Sequence, residues 1–130
     1  MKTAKDALRL YAAGGTHTGY VRERNEDAFL VMLPLLAVAD GVALPDGGGV
    51  ASRMAVETLE RRVRASRGAT QDVPWAHSFL LAAIDWAHGL IRIQRSEEEM
   101  CAKMSTTIVA AIILPDQHAV IAHAGDSRAY

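Results

Sequence analysis

Short apolar runs stand on either side of two long stretches with helical periodicity, and this order constrains the fold more than any other feature. Leu8 to Ala13, Ala28 to Leu33 and Leu35 to Ala39 read as strands, the last stopping at Asp40-Gly41 and so placing Asp40 at a strand end. From Ala51 the period changes: Ala51, Met54, Ala55, Leu59 and Val63 recur three or four apart, with Arg53, Glu57, Glu60, Arg61 and Arg64 between them. That pattern predicts an amphipathic helix entered through a loop at Gly47-Gly48-Gly49. A second helix is announced by Asp72 as its cap and Pro74 in its first turn. Its apolar positions Phe79, Leu80, Ala83, Ala87, Leu90 and Ile91 continue to about Gln94, and Glu97-Glu98-Glu99 form a solvated end. Thr106 to Leu114 and Ala119 to Ala124, parted by Pro115-Asp116-Gln117, predict a β-hairpin. Strands, two helices and strands again make an α+β chain.

The composition narrows the function classes. Fourteen basic against fifteen acidic residues leave a net charge of -1, which gives no electrostatic footprint for nucleic acid or an anionic membrane. The single Cys101 rules out an internal disulfide, and Met1 to Leu10 is too charged for a secretory segment, so a cytoplasmic setting is expected. No apolar stretch approaches the roughly 20 residues of a membrane-spanning helix. A chain of 130 residues, half of them hydrophobic, suffices for one domain with a buried core.

Several short motifs recur in a fixed order: Arg22 ahead of Asn25-Glu26-Asp27, the apolar run into Asp40-Gly41, Met104-Ser105-Thr106-Thr107, and Gly125-Asp126-Ser127-Arg128-Ala129-Tyr130. Together they resemble the PPM-type (2C-class) metal-dependent serine/threonine protein phosphatases in their bacterial form, over about Thr16 to Tyr130. The resemblance implies a four-layer αββα sandwich, in which two antiparallel sheets pack together under a helical layer on each outer side. It implies that residues 1–130 form a single domain of this type, truncated on its C-terminal side and holding about its first half. It also implies the activity, hydrolysis of phosphoserine and phosphothreonine on a phosphorylated protein partner, in opposition to a serine/threonine kinase.

The chemistry of a phosphate monoester explains the residue types. The substrate dianion repels an anionic nucleophile, so a divalent pair must neutralise it and activate a water. Mg²⁺ or Mn²⁺ prefers oxygen ligands and retains several waters, which suits sparse carboxylates. By resemblance, Asp40 bridges two metals and the Gly41 carbonyl binds one of them. Glu26 and Asp27 face the same cluster, either directly or through metal-bound water. Arg22 holds the substrate phosphate, its planar fork matching two oxygens at once. Asp126 resembles the ligand of an accessory third metal.

Other residues read more plainly. An acidic residue at a strand end is, without the family pattern, most often a turn or cap residue. His77 and His88 are about 16 Å apart along one helix and cannot share a metal. His123 reads as a packing or hydrogen-bonding residue in a strand, and Trp75 and Trp86 read as packing residues. Gly47-Gly48-Gly49 lacks the Lys-Ser/Thr of a phosphate-binding P-loop and reads as a flexible loop. Three departures from the family pattern stand out. The loop after Asp40-Gly41 contains no histidine, so protonation of the leaving group falls to water or to another residue. Ser105 stands where glycine is common. Two further aspartates of the metal pair are expected beyond Tyr130, so this chain by itself is expected to bind metal weakly. A catalytically inactive, phosphatase-like binding or regulatory module is the alternative reading.

Overall fold

Two hairpins supply most of the sheet. The computed structural model describes residues 9–42, 47–69 and 71–130. Strand β1 (Asp27–Met32) pairs antiparallel with β2 (Leu35–Val42) across a turn at Leu33-Pro34, in a register running from Met32 opposite Leu35 to Asp27 opposite Asp40. Along its other edge β2 meets the two-residue β3 (Ser105–Thr106) and then β4 (Ile108–Ile113), and β4 pairs with β5 (Ala119–Ala124). The sheet order is β1-β2-β4-β5, antiparallel throughout. The expected hairpin at residues 115–117 is present: Leu114 N–H donates to the His118 carbonyl at 2.8 Å and Gln117 N–H to the Leu114 carbonyl at 3.0 Å.

The pleat sorts the side chains onto two faces. Leu35, Ala37 and Ala39 of β2 and Ile108, Ala110 and Ile112 of β4 point into the core, where helices α1 (Gly48–Ala65) and α2 (Val73–Glu97) cover them. Helix α1 buries Ala51, Ala55, Leu59 and Val63, the stripe that its spacing predicts. Helix α2 is capped as expected, with the Asp72 carboxylate accepting from Trp75 N–H at 2.8 Å, and it buries Phe79, Leu80, Ala83, Ala87 and Ile91. The opposite face of the sheet carries Phe29, Val31, Val38 and Ile121, all partly exposed. The described residues thus form one antiparallel sheet and one helical layer, two of the four layers in the expected sandwich.

Several local expectations change. Residues 9–13 form no strand, and Leu8 lies outside the described residues. An apolar run becomes a strand only beside a ladder partner, and among the described residues none pairs with this segment. It crosses the outer face instead, close to Phe29; a Cβ on Gly14 would overlap the Phe29 ring. Strand β2 continues through Asp40 to Val42, because Gly41 pairs with Thr106 and its N–H donates to the Glu26 carbonyl at 3.1 Å. Helix α1 starts at Gly48, earlier than the apolar period, so the glycine run is its cap and first turn rather than a flexible loop. Trp75 stacks on Phe79 with ring centroids 5.3 Å apart, as a packing residue should. Trp86 does not pack in the core: it is 58% exposed in the middle of α2, with the Arg62 guanidinium 5.6 Å over its ring.

Candidate active site

The β1–β2 hairpin brings two carboxylates together. Its two-residue turn fixes the register, so Asp27 at the start of β1 stands directly opposite Asp40 on β2, on the same face of the sheet. Directly opposed cross-strand residues have Cβ atoms about 4.5–5.5 Å apart. Both carboxylates look into a cleft of about 210 Å³ that is also lined by His17, Thr18, Arg22, Arg24, Asn25, Glu26 and Gly41.

Each member of the pair is held from behind. Asp27 accepts a hydrogen bond from the Thr16 hydroxyl at 3.2 Å, and its backbone N–H donates to the Asn25 side-chain oxygen at 3.0 Å. The Asn25 amide returns to Thr16 at 2.9 Å and closes the local network. Asp40 is fixed through Thr107, whose hydroxyl accepts from Asp40 N–H at 3.1 Å while Thr107 N–H donates to the Asp40 carbonyl at 2.9 Å. The Thr106 hydroxyl donates to that carbonyl as well, at 3.0 Å. Thr107 reaches further: its hydroxyl lies 2.5 Å from that of Ser127, which ties the Gly125-Asp126-Ser127 turn to β2.

Gly41 and Glu26 join the cleft to helix α1. A Cβ on Gly41 would lie 2.1 Å from the Gly48 carbonyl oxygen and 2.6 Å from that of Glu26, so only glycine lets α1 dock here. The Ser52 hydroxyl, fully buried on α1, donates to the Glu26 carbonyl at 2.5 Å. The Glu26 carboxylate sits against Gly48 in the first turn of the helix, where the helix dipole favours a negative charge.

The electrostatics of the cleft favour a positive charge beside Asp40. The Asp40 carboxyl is held above the usual carboxylate range, first by partial burial, then by the charge of Asp27 and a hydrogen bond with it, and then by the charge of Asp126. Arg22 pulls the other way without cancelling these effects. A cation between Asp27 and Asp40 would relieve that repulsion. Among the described residues no set of three or more His, Cys, Asp or Glu side chains is grouped closely enough to hold a metal ion. The donor set of two carboxylates and a backbone carbonyl therefore fits a hard, largely hydrated cation rather than a closed His/Cys cage.

Of the residues singled out in the sequence, Arg22, Glu26, Asp27, Asp40 and Gly41 line one cleft. Asp126 is not in its wall, yet it is near enough for its charge to act on Asp40. His77, His88 and His123 are exposed and stand outside the cleft, so His123 is not a packing residue. Sequence reasoning gave no site role to His17, Arg24 or Thr16, and it quoted Thr107 only as part of a motif. A signal for the pairing was present, since a two-residue turn at Leu33-Pro34 by itself sets Asp27 against Asp40. Nothing local marked His17, which enters through the irregular segment ahead of β1.

These features define a class: an α+β protein whose acidic cleft, walled by an arginine, suits a hard cation beside an oxyanion. The profile of protein phosphatase 2C matches residues 15–130. The serine/threonine phosphatase stp of Listeria monocytogenes is 34% identical over 129 residues, which covers 93% of this chain and 49% of that protein. The crystal structure of the Mycobacterium smegmatis PPM Ser-Thr phosphatase MsPP in complex with cacodylate aligns with a TM-score of 0.73 at 32% identity, over 91% of this chain and 47% of that one. The catalytic domain of PstP in complex with two manganese ions aligns with a TM-score of 0.74 at 29% identity, over 86% of this chain and 46% of that one. The chain belongs to the protein phosphatase 2C family, the PPM-type metal-dependent serine/threonine phosphatases. It spans about half the length of the Listeria relative.

Proposed function

We propose that this chain serves the hydrolysis of phosphoserine and phosphothreonine esters in proteins, with Mg²⁺ or Mn²⁺ at the Asp27–Asp40 pair. The single observation that carries this reading is the cross-strand placement of Asp27 against Asp40 in the cleft that Arg22 also lines. The metal-bound and cacodylate-bound structures of its relatives support it, cacodylate being a tetrahedral oxyanion like phosphate. Asp40 and the Gly41 carbonyl would hold the metal pair, with Glu26 and Asp27 beside them directly or through water, and Asp126 would serve an accessory third ion. Bound there, the ions would neutralise the phosphate dianion and activate a water for attack.

The chain's own residues supply the rest. Arg22 grips two phosphate oxygens with its planar fork and orients phosphorus toward the carboxylates. His17 fills the hydrogen-bond-donor position that the loop after Gly41 leaves open. Its Nδ1 accepts the Gly19 N–H at 2.9 Å, so Nε2 carries the ring proton, and the residue lines the cleft. That Nε2–H can hydrogen-bond the departing serine or threonine oxygen, while the proton that completes the alcohol comes from water. The partner is a phosphorylated protein that a serine/threonine kinase has modified, and no role toward nucleic acid or membrane is proposed. A cytoplasmic setting is part of this proposal; among the described residues no helix is long and apolar enough to cross a membrane.

A second reading, a phosphate-binding regulatory module without turnover, draws on the absence of a three-carboxylate group among the described residues. One experiment separates the two. Phosphate release from a phosphothreonine peptide is followed with and without millimolar Mn²⁺, for the wild type and for Asp40→Asn. Metal-dependent release that Asp40→Asn abolishes establishes catalysis, because a neutral amide cannot bridge two cations. Phosphopeptide binding without release supports the module, and release that persists in Asp40→Asn refutes the assignment of Asp40.

A further inference from the structure

The cleft does not end the usable surface at Glu26. A second groove, of about 420 Å³, opens on the other side of the same segment and is lined by Arg24, Asn25, Glu26, Gly49, Arg53 and Met100, among others. Arg24, Asn25 and Glu26 line both the cleft and the groove, so the two are continuous across one stretch of chain. Arg53 of α1 forms the far wall. A Cβ on Gly49 would lie 3.3 Å from Arg53 Nη1, 3.7 Å from Glu26 Cα and 4.0 Å from the Asn25 carbonyl oxygen. The absence of a side chain at Gly49 thus lets the Arg53 guanidinium lie back toward the segment that walls the cleft. Met100, 73% exposed, adds an apolar side to the groove.

A phosphorylated residue in the cleft arrives attached to a polypeptide, and an extended chain advances about 3.3 Å per residue. With the phosphate beside Arg22, residues on one side of it leave the cleft over the Arg24–Glu26 segment and enter the groove within a few positions. There they meet the Arg53 guanidinium in the groove wall. The Glu26 carboxylate opposes this charge only in part, because it is turned to the first turn of α1. We infer that this groove receives the flanking chain of the phosphorylated substrate, and that Arg53 selects an anionic side chain there: Asp, Glu or a second phosphorylated residue. The planar fork of arginine suits carboxylate and phosphate alike. This inference rests on the phosphatase reading of the cleft and adds a substrate preference to it.

The test is peptide binding to the 130-residue chain in Mn²⁺, read by fluorescence anisotropy with non-hydrolysable phosphothreonine analogues. Three peptides are compared: the analogue with acidic flanks, the analogue with alanine flanks, and the acidic-flanked peptide carrying plain threonine. The acidic flank should tighten binding about fivefold, the upper range for an exposed ion pair. Arg53→Glu should remove or invert that preference while leaving p-nitrophenyl phosphate hydrolysis unchanged, since this substrate has no flank. Equal binding of acidic and alanine flanks, a preference that survives Arg53→Glu, or no binding of any peptide overturns the inference. If the phosphorylated and plain peptides bind equally, the phosphate reading of the cleft fails instead, and the flank comparison still judges the groove.

Discussion

Replacing Gly41 by alanine tests whether the cleft and helix α1 are built as one unit. The added Cβ would stand 2.1 Å from the Gly48 carbonyl oxygen, 2.3 Å from the Gly48 carbonyl carbon and 2.6 Å from the Glu26 carbonyl oxygen. All three are backbone atoms, so no rotamer change relieves the overlap. Glu26 cannot simply retreat, because its carbonyl is held by Ser52 Oγ at 2.5 Å and by Gly41 N–H at 3.1 Å. Helix α1 must therefore lift from β2 at its first turn. Overpacking of this kind costs about 1–3 kcal/mol, and backbone on both sides places Gly41→Ala near the top of that range. In a domain of this size about 3 kcal/mol lowers Tm by roughly 10 °C. The control is Gly15→Ala, where a Cβ meets nothing within 4 Å and the expected change stays within about 0.5 kcal/mol. Far-ultraviolet circular dichroism on heating measures both, and amide exchange at Gly48–Ala51 reports the helix end directly. Equal melting of the two variants, or unchanged exchange at the helix end, would refute the argument.

The remaining predictions concern the cleft. In chelator, Asp40→Asn should raise stability at neutral pH. The folded Asp40 carboxyl is held above its ordinary value, so its contribution favours folding at low pH and is lost as pH rises through the folded value, leaving an ionised group that works against the fold. Screened by solvent, the gain is about 0.5 kcal/mol and should vanish below the carboxylate range; a loss of stability at neutral pH would contradict the repulsion. Arg22→Ala should raise KM for a phosphomonoester about tenfold with a smaller change in kcat; a collapsed kcat at constant KM would remove its gripping role. Thr107→Val should cost about 1–2 kcal/mol in a denaturant titration, because it strands the Asp40 N–H and unhooks Ser127, and it should weaken Mn²⁺ binding by calorimetry; unchanged affinity would mean the tie to the Asp126 turn does not matter. His17→Ala should slow hydrolysis of a phosphothreonine peptide about tenfold, the worth of one hydrogen bond, yet barely affect p-nitrophenyl phosphate, whose stable phenolate leaving group needs none; equal losses on both would assign His17 a structural role.

What the sequence revealed, and what it hid, follows from how local each signal is. Helix α2 was legible from Asp72 and Pro74 because a cap and a first-turn proline act within a few residues. The start of α1 was not, because glycine disfavours a helix on propensity alone and the reason for Gly48 lies across space at Gly41. The same logic explains Leu8 to Ala13: the run has strand composition, but a strand needs a ladder partner and none pairs with it among the described residues. Trp86 looked like core because it sits eleven residues from Trp75, yet it is largely exposed in the middle of α2, with the Arg62 guanidinium over its ring.

The site itself divides in the same way. Asp27, Asp40 and Gly41 belong to one hairpin, so short-range register arithmetic places them together, and their residue types already spell oxygen ligation. Thr107 is sixty-seven residues from Asp40, and its hold on the Asp40 backbone exists only because β2 is flanked by β1 on one edge and by β3 and β4 on the other. The central strand is therefore the strand on which a repelling carboxylate can be kept in place, since both edges of its backbone are already committed to ladder partners. An edge strand with the same Asp-Gly pair would relax away from Asp27, and the charge repulsion that a cation is suited to relieve would be lost before any metal arrived.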